Sequence, residues 1–274
     1  MLPVFFLILT FSKCLDAACT FPSTLIGSWQ SSTLGSFTIN STSISTIPYE
    51  GGQYTFECYL QNANRYVIKS EVIRSGLLES VAYTCLDIQS VSGSTDKLLY
   101  YQVTAEVSGK GRFVPAAVSS VPVESDVCTE TSVVQPGAYS FLIKDGSLST
   151  AKIKCPDGLV SEFNVTLSNC PDGAHLDVCT DNTIMDFNFS TCGGSTYSGE
   201  VKYTCVYSSE SGNLTYVTLY NSAASVPSNP FIPFSCVVFT AGDNDTTLTH
   251  NPGDCLATQT DTVITSPGFA YGAN

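Results

Sequence analysis

Residues 19–40 read CTFPSTLIGSWQSSTLGSFTIN, and this stretch decides the fold of the first half of the chain. It carries the sole tryptophan, Trp29, two residues after Gly27. Cys19 anchors its front, and Phe37 and Ile39 then alternate with Ser36, Thr38 and Asn40. A period of two marks a strand with one buried face. Gly27 lets the backbone turn tightly, and Trp29 places a large aromatic where a first strand enters a core.

The same period continues downstream. Tyr54, Phe56 and Cys58 alternate with Thr55 and Glu57, and Val81, Tyr83 and Cys85 with Ala82 and Thr84. Leu98 to Val103 reads as a further strand, and the glycine pair Gly51-Gly52 and Ser92-Gly93-Ser94 read as turns. No segment here has a capped helical apolar face, so the pattern predicts about eight short strands in roughly 110 residues. Pro115 to Pro122 is uncharged and punctuated by proline, and the domain boundary is placed between it and Pro136-Gly137.

Beyond the boundary, Tyr139 to Ile143 opens a second run of strands, followed by an Asp145-Gly146 turn. Val201, Tyr203 and Cys205 alternate again, and Tyr216–Leu219 and Phe234–Phe239 are apolar strands. The expected class is therefore all-β, with two antiparallel domains: a small barrel or sandwich over residues 19–134 and a disulfide-stapled β domain over residues 135–256. Residues 257–274 read as a polar tail.

The N-terminus reads as an address. Leu2 to Phe11 is apolar and is followed by small Ala17 and Ala18, the form of a secretory signal over residues 1–18. Twelve cysteines and five Asn-x-Ser/Thr acceptors, at Asn40, Asn164, Asn188, Asn213 and Asn244, agree with secretion into an oxidising, glycosylating compartment. The net charge of −13 reflects few cations, and none follows Lys202. Nucleic-acid and anionic-membrane binding both need a basic patch, so neither is expected.

Removing Cys14 with the signal leaves an odd number of cysteines. Cys19, Cys58, Cys85 and Cys128 form a closable set in the first domain. Cys155, Cys170, Cys179, Cys192, Cys205, Cys236 and Cys255 fall in the second. Cys155-Pro-Asp-Gly158 is echoed by Cys170-Pro-Asp-Gly173, as equivalent corners of one unit would be, which suggests a Cys155–Cys170 bridge. The short span from Cys179 to Cys192 suggests a second bridge. Cys128 and Cys255, beside proline- or glycine-rich junctions, are the candidates for the odd thiol, with Cys255 able to form a covalent dimer.

Chemistry is hard to find. His175 lies between cysteines expected to be bridged, and His250, in Thr-His-Asn-Pro-Gly, reads as an exposed turn residue. No Cys-x-x-Cys or Gly-x-Ser-x-Gly occurs, and Cys192-Gly-Gly-Ser195 lacks the context of a nucleophile. Asp243-Asn244-Asp245 begins like a calcium loop but lacks its later glycine and glutamate. No catalytic, metal or cofactor site is expected.

Gly27-x-Trp29 opening an all-β domain resembles the first-strand signature of lipocalin-like barrels. That resemblance implies a tryptophan closing one end of the barrel under an arginine from near its last strand. Arg112 is the counterpart favoured over Arg65 and Arg74. More widely, Cys19-x-Phe21-Pro22, Tyr83-x-Cys85-Leu86, Leu99-Tyr100-Tyr101, Tyr203-x-Cys205 and Phe234-x-Cys236 are similar to secreted invertebrate proteins. Those proteins carry tandem cysteine-rich domains of unknown function, which implies two extracellular β domains. The expected role is a non-enzymatic extracellular binding module whose first barrel takes a small apolar ligand. The alternative is a structural extracellular-matrix or biomineral-associated protein.

Overall fold

The computed structural model describes residues 19–130, 137–167, 170–188, 202–222, 233–240, 246–263 and 269–273. The expected signal, the calcium-like Asp243–Asp245, Asn244, Cys192 and Ser195 lie outside them, as do the side chains of Cys170 and Asn188. The chain is nearly all β, as its alternation predicts. The first ten strands are β1 Gly27–Ser31, β2 Gly35–Ile39, β3 Ser43–Tyr49, β4 Gly52–Asn62, β5 Arg65–Ser70, β6 Ile73–Ser75, β7 Leu78–Ser90, β8 Lys97–Gln102, β9 Val114–Ala117 and β10 Ser140–Lys144. Antiparallel pairing runs β1-β2-β3-β4-β5-β7-β8-β10 and returns to β1, so the sheet closes on itself. Strands β6 and β9 flank the protruding end of β7.

Trp29 sits inside this closed sheet, fully buried, with its indole N–H donating to the Leu25 carbonyl at 2.8 Å. Phe37, Ile39, Ile44, Phe56, Ile68 and Leu142 are among the side chains that fill the same interior. The cation over the indole is Lys144, whose Nζ lies 5.9 Å from the ring centroid. This corrects the assignment to Arg112. The neighbour of β1 in the barrel is β10, and register sets Lys144 opposite Trp29. Arg112 instead donates to the carbonyls of Gln102 and Thr104 and to Glu130. Gly27 has φ +143°, and a Cβ there would stand 3.1 Å from Lys144 Cε, so the strand entry needs glycine.

The second unit is an up-and-down closed barrel of eight strands: β11 Glu162–Leu167, β12 Cys170–Asp177, β13 Ile184–Asn188, β14 Lys202–Ser211, β15 Leu214–Tyr220, β16 Phe234–Thr240, β17 Thr246–Pro252 and β18 Phe269–Ala273. Leu176, Met185, Phe187, Tyr203, Val217 and Phe239 are part of its core. The expected polar tail supplies β18, which pairs with both β17 and β11 and closes the barrel. His250 is no exposed turn residue. It lies in β17, buried, stacked on Phe187 with ring centroids 5.4 Å apart and bonded to Ser235 Oγ at 2.9 Å. Burial pushes its imidazole down to about 3, so it is neutral at physiological pH.

Among the described residues four disulfides are formed: Cys19–Cys58, Cys85–Cys128, Cys155–Cys205 and Cys236–Cys255. The first two close the four-cysteine set of the first domain. The second domain departs from expectation because its two Cys-Pro-Asp-Gly segments are not equivalent. One makes a 3₁₀ turn at Asp157–Leu159, whereas the other runs within β12. The backbone before that turn lies beside β14, with the Ile153 N–H bonded to the Cys205 carbonyl, and this delivers Cys155 to Cys205. Cys128 and Cys255 are both bridged, and the free cysteine among the described residues is Cys179, on the surface. A Cys179–Cys192 bridge is thereby excluded.

The two barrels share a core. On β10, Leu142 points into the first barrel while Phe141 and Ile143 point out of it, against Val206, Phe234 and Val238 of the second. Phe141 stacks on Tyr207 at 5.5 Å, and buried Lys97 donates to the Val206 carbonyl at 3.1 Å. The first barrel thus draws its strand β10 from beyond the boundary expected at residues 134/135. Trp29→Ala should cost roughly 3–5 kcal/mol, as other large core truncations do. Chemical denaturation monitored by circular dichroism measures the loss, and a change under about 1 kcal/mol would mean that Trp29 is not the core residue described.

Candidate functional site

Two loops that approach β10 and the end of β8 enclose a cleft of about 340 Å³ where the barrels meet. From the first barrel come Thr33, in the β1–β2 turn, and Tyr100, Tyr101 and Gln102 at the end of β8. From the other side come Tyr139 and Ser140, leading into β10, and Asp254, in the turn after β17. A bridge between Tyr139 and Cys255 ties these two segments together. Arg112 and Glu130 form an ion pair at 2.6 Å on the cleft wall.

Alternation along β8 sets the roles of its tyrosines. Tyr100 points into the first barrel, and its hydroxyl meets Ser31 Oγ at 2.7 Å and Thr33 Oγ1 at the barrel's end. Tyr101 points outward. Its hydroxyl and the amide nitrogen of Gln102 are buried and have no hydrogen-bond partner. Burial pushes Tyr100 and Tyr101 well up from the usual phenol range and Tyr139 up to about 12. All three are therefore neutral hydrogen-bonding groups across the physiological range.

Asp254 accepts a hydrogen bond from Ser140 Oγ at 2.6 Å, with the hydroxyls of Ser32 and Thr33 also acting on it. Burial pushes its carboxyl up to about 6 despite those donors. The imidazole of His250 is enclosed in the wall of the second barrel, where it bonds Ser235 Oγ. Among the described residues no group of three or more His, Cys, Asp or Glu is placed to hold a metal ion.

Of the residues singled out from sequence, Arg112 and Cys255 line the cleft, Arg112 in a role other than the one expected of it. Trp29 and Gly27 belong to the first barrel. The acceptors Asn40, Asn164 and Asn213 are exposed. Tyr100, Tyr101, Gln102 and Tyr139 stood out only as strand residues, and Asp254 carried no signal at all. A lone Asp in Gly253-Asp254-Cys255 looks like any turn acid until Ser140 is folded against it.

The raised Asp254 carboxyl has a consequence for stability. The folded state holds this proton more tightly than the unfolded chain, so the contribution is full below about pH 4 and lost as pH rises through about 6. His250 works in the opposite sense, its contribution present above about 6.5 and lost toward about 3. The two slopes offset each other between pH 4 and 6, and a difference measurement separates them. Asp254→Asn should gain on wild type by on the order of 2 kcal/mol between pH 4 and pH 6.5, read from denaturant midpoints. A pH-independent difference would mean that Asp254 titrates normally.

No curated protein and no solved structure matches this chain. Residues 15–120 match the family model described as domain of unknown function DUF7043, and residues 139–262 match domain of unknown function DUF7042. The chain thus carries two different domains of unknown function in tandem, and the cleft lies where they meet.

Proposed function

We propose that this chain is a secreted, disulfide-bonded glycoprotein that acts by binding rather than by catalysis, and that its small ligand sits in the cleft between the barrels. Four disulfides support an oxidising compartment, and the exposed acceptors Asn40, Asn164 and Asn213 are open to a glycan. The packing of large side chains around Trp29 favours the cleft over the interior of the first barrel as the ligand's place.

The observation that carries the reading is the cleft itself, about 340 Å³ in volume, with the Asp254 carboxylate on its wall held by the hydroxyls of Ser140, Ser32 and Thr33. Beside it the Tyr101 hydroxyl is buried without a partner, which costs about 1–3 kcal/mol. Tyr101→Phe should therefore leave the protein as stable or stabler by about 1 kcal/mol, read from denaturant midpoints. Native mass spectrometry of protein purified from its own source should show a non-covalent mass. Finding no such mass on the wild-type protein overturns the reading.

A second reading, a structural component of the extracellular matrix, is favoured by the exposed thiol of Cys179. With Cys255 bridged, Cys179 is the residue through which a covalent dimer or matrix attachment forms. Non-reducing gels should then show a dimer that disappears with Cys179→Ser, and a purely monomeric wild-type protein counts against this role.

A further inference from the structure

The cleft holds an uncompensated negative charge. Arg112, the cation on its wall, is committed to Glu130 at 2.6 Å and to the carbonyls of Gln102 and Thr104. The groups acting on Asp254 are instead hydroxyls, those of Ser140, Ser32 and Thr33. Its charge in turn bears on the phenols of Tyr100 and Tyr139. A carboxylate held by hydroxyls alone, in a partly buried cleft, is electrostatically incomplete.

We infer that the cleft binds a small organic cation, an amine or quaternary ammonium. The inference rests on the binding reading above and names the ligand's chemistry. The ammonium sits against the Asp254 carboxylate on the cleft wall, whose own partners are neutral hydroxyls. Neutral and anionic ligands leave the carboxylate unpaired, and an anion also meets its repulsion. The protein's net charge of −13 draws cations toward it in the same sense.

The linkage follows from the same geometry. A cation bound to the Asp254 carboxylate competes with the proton, so affinity falls as the medium is acidified through about pH 6. Tyr100 and Tyr139 stay neutral throughout, and Glu130, the other carboxylate on the cleft wall, is paired with Arg112, so the pH dependence is assigned to Asp254.

The test uses the full secreted protein, with choline and ethanolamine as probes and their neutral isosteres, 3,3-dimethyl-1-butanol and propan-1-ol, as controls. Titrations are followed by calorimetry and by the NMR signals of the tyrosine rings. At pH 7.5 at least one cation should bind ten-fold or more tighter than its isostere, and its affinity should drop several-fold at pH 5. Asp254→Asn, which keeps the Ser140 contact and folds to the wild-type near-ultraviolet spectrum, should abolish the preference for the cation. Equal binding of cation and isostere that perturbs the cleft tyrosines overturns the cation assignment and leaves the binding reading standing. Absence of any response to all four probes at millimolar concentration, with protein from its source carrying no bound mass, overturns both. Cation binding unchanged in Asp254→Asn places the site elsewhere and also refutes the inference.

Discussion

The structure depends on one short strand being used on both faces. In β10, Leu142 fills the first barrel beside Trp29 while Phe141 and Ile143 fill the space between the barrels. The strand's edges are used as well, one ladder to β1 and one to β8. Without it, β1 and β8 would each present an unpaired edge, the liability that closed barrels remove. Because β10 follows the linker in sequence, the first barrel cannot close until the chain has passed out of its own domain and returned. Folding of the two units is thereby coupled by hydrogen bonds as well as by packing.

The cleft is a by-product of that return. Tyr139 and Ser140 must arrive at the end of β8 to start β10, and the turn after β17 is stitched to them through the Tyr139–Cys255 bridge. The disulfide from Cys236 to Cys255 pins the same turn to β16. Polar groups from three separate stretches are therefore forced together where neither barrel has core to offer. Some find partners, as Ser140 does with Asp254, and some do not, as with Tyr101 and Gln102. Buried polar groups left unpaired in a native fold mark places where something other than packing has shaped the sequence.

Much of the architecture was legible because period-two alternation reports directly on half-buried strands. Trp29, Phe37, Ile39, Phe56 and Val81 are buried as their spacing demands. What alternation cannot report is which partner covers a face. Tyr139–Ile143 reads as a strand, but nothing in it says that its neighbours are β1 and β8, and so the cation over Trp29 was sought in Arg112 rather than Lys144. His250 was hidden by Asn251-Pro252-Gly253, which reads as a turn. The proline in fact ends β17, at its last residue, where a missing N–H costs least. The repeated Cys-Pro-Asp-Gly misled for a related reason: one sequence serves as a turn at Cys155 and as a strand at Cys170, because tertiary pairing overrides local turn preference.

Two titratable groups, His250 and Asp254, show how differently one constraint, exclusion of water, can be met. His250 is enclosed between Phe187, Tyr203 and Ser235 and gives up its charge, at no loss to the barrel wall because neutral imidazole still stacks and hydrogen-bonds. Asp254 is held by hydroxyls that favour its anion, in a setting whose burial opposes that anion. The first arrangement is complete in itself. The second is not, and a carboxylate kept near the balance of its two forms at a cleft is the side chain whose state an incoming charge can change most. The proposed ligand site is accordingly at Asp254, where the barrels meet, rather than beneath Trp29, whose surroundings are packed with large side chains.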